Sequence, residues 1–295
     1  MANLKAIRIR ISSVKSTRQI TSAMKMVSAA KLRKAQDKIV RLRPYVNKLK
    51  EILSDLTLSL AETEVENVYA RVSPAEKILI VIITSNRGLC GAFNSNVIRE
   101  TRKVISEKYN DQFRKGNLTI LPIGKKGYDY LRKQNIKMMP EHNALFNDLT
   151  FENVAVVAEE IMQDFIKGEY DRIELIYNHF KNAAVQILTD EQFLPVEAAT
   201  SAEEKKTLPV DYIYEPSEEE IVKELIPKSL KIQFYRSILD SFVAEHGARM
   251  TAMHKATDNA TSMIRELTLL YNKARQAAIT NQILEVVSGA EALKG

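Results

Sequence analysis

The sequence predicts an α/β protein whose two ends are long coiled-coil helices and whose middle is a Rossmann-like α/β domain. Three observations predict it. First, the 295 residues include only 9 Gly and 8 Pro, about half the usual share. These helix breakers are concentrated between Pro44 and Pro227: residues 1–43 contain neither type, and Gly247 and Gly289 bracket 41 residues without one. Second, apolar residues at both ends recur with heptad spacing. Third, β-branched apolar runs alternate with helical stretches in the middle. The boundaries read as a helix over 1–60, an α/β domain over 75–196, an acidic connecting loop over 197–216 and a second helix over 217–295.

The first helix carries one heptad frame throughout. Leu4, Ile7, Ile11 and Val14 step by 3 and 4, and the same register continues from Leu32 through Ala35, Ile39, Leu42, Val46, Leu49, Leu53 and Leu56 to Leu60. Sustained a/d patterning of this length is a strong coiled-coil signal. Arg18, Thr21, Lys25 and Ser28 are polar exceptions on the seam. Where they interrupt it, a second stripe of Ile20, Met24 and Val27 appears on another face. Pro44 removes a backbone donor and predicts a bend or a local break.

The last helix repeats the pattern. Ser217 precedes Glu218, Glu219 and Glu220, a composition suited to a helix N-terminus. Ile232, Tyr235, Leu239 and Phe242 set a frame that continues through Met253, Ala256, Ala260, Met263, Leu267, Leu270, Ala274, Ala277 and Leu284, with His246, Arg249, Asn281 and Ser288 as polar breaks. At ~1.5 Å per residue each helix is tens of ångströms long, and neither can bury its stripe alone. Antiparallel packing of one on the other is the economical solution. Dimerisation between chains is the alternative, and periodicity does not separate the two.

In the middle, residues 78–84 (Ile-Leu-Ile-Val-Ile-Ile-Thr) read as a strand buried on both faces. Further strands are expected at 118–123, 172–179 and 184–194, with helices near 92–109, 125–133 and 151–167. Alternation of this kind implies a mostly parallel sheet with crossover helices.

Charge is uneven. Residues 1–60 hold 14 Lys and Arg against 3 Asp and Glu, whereas residues 191–226 hold 3 against 10. The basic first helix calls for an acidic partner, an anionic surface or solvent. Its only aromatic residue is Tyr45, so stacking on nucleic-acid bases is poorly provided for. No apolar run reaches the ~18 residues of a membrane span. The N-terminus is basic without the apolar stretch of a secretory signal, and its composition leaves an organellar presequence open. Cys90 is the single cysteine, which excludes an intrachain disulfide and a cysteine-based zinc site.

The usual catalytic patterns are missing. No G-x-G-x-x-G follows the first strand, and no G-x-x-x-x-G-K-[ST] occurs. Asn86-Arg87-Gly88-Leu89-Cys90-Gly91 reads better as a tight turn around a buried cysteine than as an anion cup. His142 and His179 stand at no diagnostic spacing from Cys90 for nucleophilic catalysis. His246 and His254 lack a third metal ligand. Gly124-Lys-Lys-Gly127 matches an RNA-clamping loop only in its spelling. No cofactor site is expected, and the residues taken alone indicate a mechanical or scaffolding protein.

Two blocks then become specific. One is Ile7-Arg8, Ile11, Ser13-Val14, Thr17, Ile20-Thr21, Ala23-Met24, Met26-Val27, Ala30-Lys31 and Arg43-Pro44-Tyr45. The other is Ala248-Arg249-Met250, Ala252-Met253, Ala256-Thr257-Asp258-Asn259-Ala260, Tyr271-Asn272, Arg275-Gln276-Ala277, Ile279-Thr280 and Val287-Ser288-Gly289-Ala290. With Arg87-Gly88-Leu89-Cys90-Gly91 between them, the chain resembles the gamma subunits of F-type ATP synthases over essentially its whole length.

The resemblance implies a central rotor stalk, non-catalytic itself. Its terminal helices would form an antiparallel coiled coil inside a hexameric ring of alpha and beta subunits. Its α/β domain would lie next to the epsilon subunit and the ring of c subunits. It implies one copy per complex, no nucleic-acid partner, and a peripheral place at the cytoplasmic face of a bacterial plasma membrane. By position, Met24, Arg249, Gln276 and Thr280 fall in the zone facing the beta subunits. Off the heptad seam, Ile20, Met24 and Val27 read as an outward contact stripe, the alternative being that the coil locally rewinds and buries them. The resemblance implies acidic beta-subunit loops facing the basic first helix. Ile283, Leu284, Val286 and Val287 become an apolar bearing tip.

Some positions depart from the family pattern. Gln282 stands where Glu is usual, Asn86 where Asp is usual, and Gly247 where Ala is common. The dithiol insert of chloroplast relatives is absent. Two other function classes remain on the sequence alone. One is a basic coiled-coil protein binding nucleic acid or anionic membranes, which salt-sensitive binding would reveal. The other is an α/β enzyme with helical extensions, which the missing phosphate motif argues against.

Overall fold

The computed structural model describes residues 4–60, 68–71, 73–134, 136–196 and 218–293. The acidic connection expected over 197–216 lies outside them. In chain order the elements are α1 (Leu4–Leu60), β1 (Ile78–Ile83), α2 (Phe93–Lys108), α3 (Asn110–Arg114), β2 (Leu118–Ile123), α4 (Lys125–Leu131), β3 (Lys137–Met138), α5 (Phe151–Ile166), β4 (Arg172–Phe180), β5 (Gln186–Leu194) and α6 (Glu218–Ala292). The chain forms two compact units, Ala30–Ala248 and Met1–Ala29 with Arg249–Gly295.

In the larger unit the strands form one sheet in the order β3-β2-β1-β4-β5. The pairs β3-β2, β2-β1 and β1-β4 are parallel, and only β4-β5 is antiparallel. All six residues of β1 are buried, as a strand covered on both faces requires. Alternate residues serve opposite layers. Leu79, Val81 and Ile83 pack with Val154, Ala158 and Ile161 of α5 and with Phe234 and Ile238 of α6. Ile78, Ile80 and Ile82 pack with Val97 and Val104 of α2 and Leu131 of α4. The two-residue β3 is too short to show as a sequence pattern.

Within this unit α1 and α6 also meet. Val46 and Leu49 of α1 share a cluster with Ile232 of α6. Of the bend or local break expected at Pro44, the break does not occur, because α1 runs through it as one helix. An interior proline costs a helix about 3 kcal/mol, and burial of Val46 and Leu49 in the next turn opposes that cost. Pro44 itself faces solvent, where its missing donor leaves no buried carbonyl behind. Pro227 likewise sits inside α6.

The glycines of Gly124-Lys-Lys-Gly127 serve packing. Gly124 has φ 106°, and a Cβ there would stand 2.0 Å from the Thr84 carbonyl oxygen. A Cβ on Gly127 would stand 2.8 Å from Thr84 Oγ1. Thr84 Oγ1 instead accepts from the Gly127 amide at 2.9 Å and donates to the Gly124 carbonyl at 3.1 Å. The loop is thereby sealed onto the end of β1 and is closed to a nucleic-acid backbone.

The smaller unit is an antiparallel helix pair. Thr21 Oγ1 and Thr257 Oγ1 are 2.8 Å apart. Two heptads further along, Arg8 Nη2 donates to Tyr271 Oη at 2.8 Å, and the guanidinium lies 5.7 Å from the ring centroid. Residue numbers fall in α1 as they rise in α6, which fixes the direction. Along α1 in this unit, the frame Ile7, Ile11, Val14, Arg18, Thr21, Lys25 and Ser28 contains buried or half-buried positions only. The polar exceptions therefore stay on the seam. Thr21 meets its partner's hydroxyl, and Ser28 Oγ returns its proton to the Met24 carbonyl at 2.7 Å.

The frame of α6 needs one correction. Met253, Ala260, Leu267 and Ala274 line the seam as expected, but Met263 and Leu270 are exposed. The second column runs one residue later, through Thr257, Ile264, Tyr271 and Ala278, all half-buried. Both columns are compatible with a seven-residue repeat. The hydroxyl of Thr21 and the guanidinium of Arg8 select the second, because it offers them Thr257 and Tyr271.

Candidate partner-contact surface

Every residue singled out for partner contact lies in the helix pair, and the pair's geometry sorts them. Ile20 and Val27 are 61% and 57% exposed, because the polar seam continues beneath them without a local rewinding of the coil. Met24 is half-buried on the shoulder of the seam. Ile9 and Met26 are also exposed on α1. Ile9, Ile20 and Val27 are spaced by 11 and 7 residues, which keeps them on one helix face. The sequence reading missed Ile9 and Met26 because it stopped at the interruption of the seam. Around these apolar positions the helix is wholly basic: Lys5, Arg8, Arg10, Lys15, Arg18 and Lys25 occur before the first acidic residue of the chain, Asp37.

On α6 the positions diverge. Gln276 and Thr280 are exposed, and Thr280 Oγ1 donates to the Gln276 carbonyl at 3.0 Å. Arg249 is 7% exposed. It stands inside the protein and offers no free surface in this conformation, unlike its neighbours in the expected contact set. Beyond Ala278 the helix has no seam to fill, and all residues from Ile279 to Leu293 are exposed.

This end of α6 has a definite polarity. The 4–3 steps that carry the seam through Ala274 and Ala278 continue to Asn281, Glu285 and Ser288, which are polar. Ile279, Ile283, Val286 and Val287 lie on the opposite side of the cylinder at 100° per residue. They are 48%, 57%, 72% and 53% exposed, and Leu284 flanks them at 60%. The apolar tip is therefore no continuation of the coiled-coil seam. It is a separate apolar surface of the kind that marks a contact site, about 12 Å long by helical rise.

Where a doubly wound sheet usually takes a ligand, this chain is filled by its own residues. The chain order steps outward from β1 to β3 and returns to β4 on the other side, so the switch point lies beyond the ends of β1 and β4. Cys90, Phe93 and Phe180 pack there with Ala244 and Ala248 of α6. Gly247 permits the approach: a Cβ on it would stand 3.2 Å from Ala183 Cα and 3.3 Å from the Phe180 ring. Cys90 is 1% exposed, and its Sγ accepts from Asn94 Nδ2 at 3.2 Å. Asn86 uses both ends of its amide. Its Nδ2 donates to the Asn143 carbonyl at 2.9 Å, and its Oδ1 accepts from the Lys125 amide at 3.1 Å. An aspartate could not make the first bond.

The other concentration of charge lies between α2 and the β4-β5 edge, around the buried Glu174. The Tyr109 hydroxyl donates to Glu174 Oε1. Arg172 Nε and Lys108 Nζ lie 3.5 and 3.9 Å from the same oxygen, and Lys108 reaches Asp190 at 2.5 Å. Burial pushes the Glu174 carboxyl above its ordinary range, and the Tyr109 hydrogen bond and the two cations oppose that push. The same burial, with the Glu174 charge beside it, raises the Tyr109 phenol. Among the described residues no group of three His, Cys, Asp or Glu side chains could hold a metal ion, and no helix is long and apolar enough to cross a membrane.

Comparison with known proteins shows the family. The family model described as ATP synthase matches residues 3–293. The ATP synthase gamma chain of Flavobacterium johnsoniae is 59% identical over 295 residues, covering 100% of both chains. That of Cytophaga hutchinsonii is 52% identical, covering 99% of each. Among solved structures, a chain of the Euglena gracilis mitochondrial ATP synthase has the same fold, with a TM-score of 0.71 at 23% identity over 98% of this chain and 94% of that one. A central-stalk chain of the Tetrahymena thermophila mitochondrial enzyme gives 0.58 at 24% identity, covering 80% and 99%. With the matched model spanning nearly the whole chain and relatives identical at more than half of their positions, this chain belongs to the ATP synthase gamma-chain family.

Proposed function

We propose that the chain is the central rotor shaft of a proton-translocating ATP synthase and carries no active site of its own. In this reading the helix pair turns inside the hexamer of alpha and beta subunits. The α/β domain engages the epsilon subunit and the c-subunit ring, with one copy of the chain per complex. The complex holds the chain at the cytoplasmic face of the membrane, peripherally. Rotation of an asymmetric shaft drives each beta subunit in turn through its nucleotide-binding conformations.

The observation that carries the reading is the unpaired end of α6. Its apolar side faces away from the seam, so a second helix in the same coil cannot cover it. A surrounding sleeve can, and apolar contact is non-directional, so it offers few bonds that resist turning. The basic face of α1 supports the same picture, since charge attraction to acidic loops is long-ranged and survives changes of relative angle. Ile20, Met24 and Val27 are the contact stripe in this reading, Gln276 and Thr280 face the ring, and the buried Arg249 positions the helix behind them.

Met24→Lys tests the contact. It keeps the helix and adds a cation on the shoulder of the seam. In the assembled complex, proton pumping per ATP hydrolysed should fall several-fold with subunit content unchanged. Unaltered pumping with an intact complex would remove Met24 from the contact.

A further inference from the structure

A groove of 660 Å³ opens between α2 and α4, on the side of the sheet away from α5 and α6. Gly91, Asn94 and Ser95 lie at one end of it, at the start of α2. Arg99, Arg102 and Lys103 continue along the helix, with Lys126 and Tyr130 contributed by α4. Four lining residues are cationic and none is a carboxylate. Glu100 on α2 pairs with Lys103 at 3.6 Å.

The arrangement is linear. Ser95, Arg99, Arg102 and Ser106 recur by 4, 3 and 4 residues, which places them in one row on α2 about 16 Å long. The row begins where α2 has no side-chain cap on Ala92, so the positive end of a 16-residue helix adds to the cations at that point. It ends at Tyr130, whose hydroxyl accepts from Arg102 Nη1 at 3.4 Å. The ring is 37% exposed and can take a planar group. The volume falls in the ~300–1,000 Å³ range of small-ligand sites. Several negative charges in a row, terminated by a flat ring system, describe the complementary ligand.

We propose that this groove binds a nucleoside polyphosphate, with the phosphates along Lys126, Arg99 and Arg102 and the base against Tyr130. Arginine forks suit phosphate oxygens in paired hydrogen bonds, and a phenol ring suits a base. The site stands apart from the filled switch point, and it does not depend on the rotor reading.

The test uses the full-length chain, free of catalytic subunits, with ATP and inorganic tripolyphosphate as separate probes in calorimetric titrations. Arg99→Ser with Lys126→Ser should weaken both by about tenfold or more, since each charge-assisted contact is worth over 1 kcal/mol. Tyr130→Ala should weaken ATP by about tenfold, consistent with stacking energies, and leave tripolyphosphate unchanged. Arg132→Ser with Lys133→Ser, exposed and outside the groove, should change neither. All of these residues are on the surface, and unchanged thermal unfolding checks the fold of each variant.

The proposal is overturned by any of four results: no binding of either probe at millimolar concentration; binding indifferent to the Arg99 and Lys126 pair; equal weakening by the control pair, which indicates diffuse charge attraction; or ATP affinity unchanged in Tyr130→Ala. Sedimentation with phosphatidylglycerol vesicles that depends on Arg99 and Lys126, in a chain that binds no ATP, would assign the groove to a membrane surface instead.

Discussion

Gly124 and Glu174 each carry a requirement that can be measured. A side chain at Gly124 meets the Thr84 carbonyl at 2.0 Å, and the backbone there has φ 106°. Gly124→Ala should therefore destabilise the chain by at least about 3 kcal/mol, read as a lowered denaturation midpoint. A loss below 1 kcal/mol would mean that the β1–α4 junction relaxes freely. For Glu174, burial raises the folded-state value above the ordinary 4.5, so the native protein holds that proton more tightly than the unfolded chain. The associated stability is fully present below the ordinary value and is lost as pH rises through the raised one. Glu174→Gln keeps an acceptor for Tyr109 and removes the ionisation. Denaturation midpoints across that interval should fall more steeply in the parent chain than in the variant. Equal slopes would show that the cations beside Glu174 cancel its burial. Neither site could be read from sequence. The contact between Gly124 and Thr84 spans 40 residues, and Glu174 sits in a strand pattern that gives no sign of Tyr109 beside it.

At the scale of elements, the strands and crossover helices of the middle were legible within a few residues. Their apolar runs are continuous and bounded by turns, as buried parallel strands require. The heptad frame of α1 was legible too, because only one phase fits Ile7, Ile11 and Val14. The frame of α6 was not. Met263 and Leu270 in one column compete with Ile264 and Tyr271 in the next, and composition favours neither. The choice is made across the interface by Thr21 and Arg8, whose contacts no single-helix pattern contains. Pro44 does not break α1 for a related reason: a helix long enough to bury residues on both sides of a proline tolerates the lost hydrogen bond. The tip of α6 follows from the same reasoning about faces. Deleting residues 283–295 leaves the Thr21–Thr257 and Arg8–Tyr271 contacts in place, so the helix pair should remain folded while the bearing surface is lost. The expected result is an assembled complex with weaker torque and less proton pumping per ATP. Unaltered torque and assembly would show the tip to be dispensable as a bearing.

For the molecule as a whole, the scarcity of Gly and Pro at the two ends and the filled switch point in the middle lead to one reading. The α/β unit has the topology of a ligand-binding fold, yet Phe93, Phe180 and α6 occupy the place a ligand would take. The helix pair instead presents a second set of apolar residues outward, beside its buried seam. Cys90, 1% exposed, is the only cysteine, so a cysteine placed on the pair can be cross-linked without competition. The most direct measurement of the rotor claim uses that fact. Met24→Cys is joined by a reducible disulfide to a cysteine on a single beta subunit of the assembled complex, and steady-state ATP hydrolysis is followed before and after reduction. A shaft that must turn predicts that hydrolysis stops in proportion to the cross-link formed and returns on reduction. Hydrolysis that continues at full rate with the cross-link complete would contradict it.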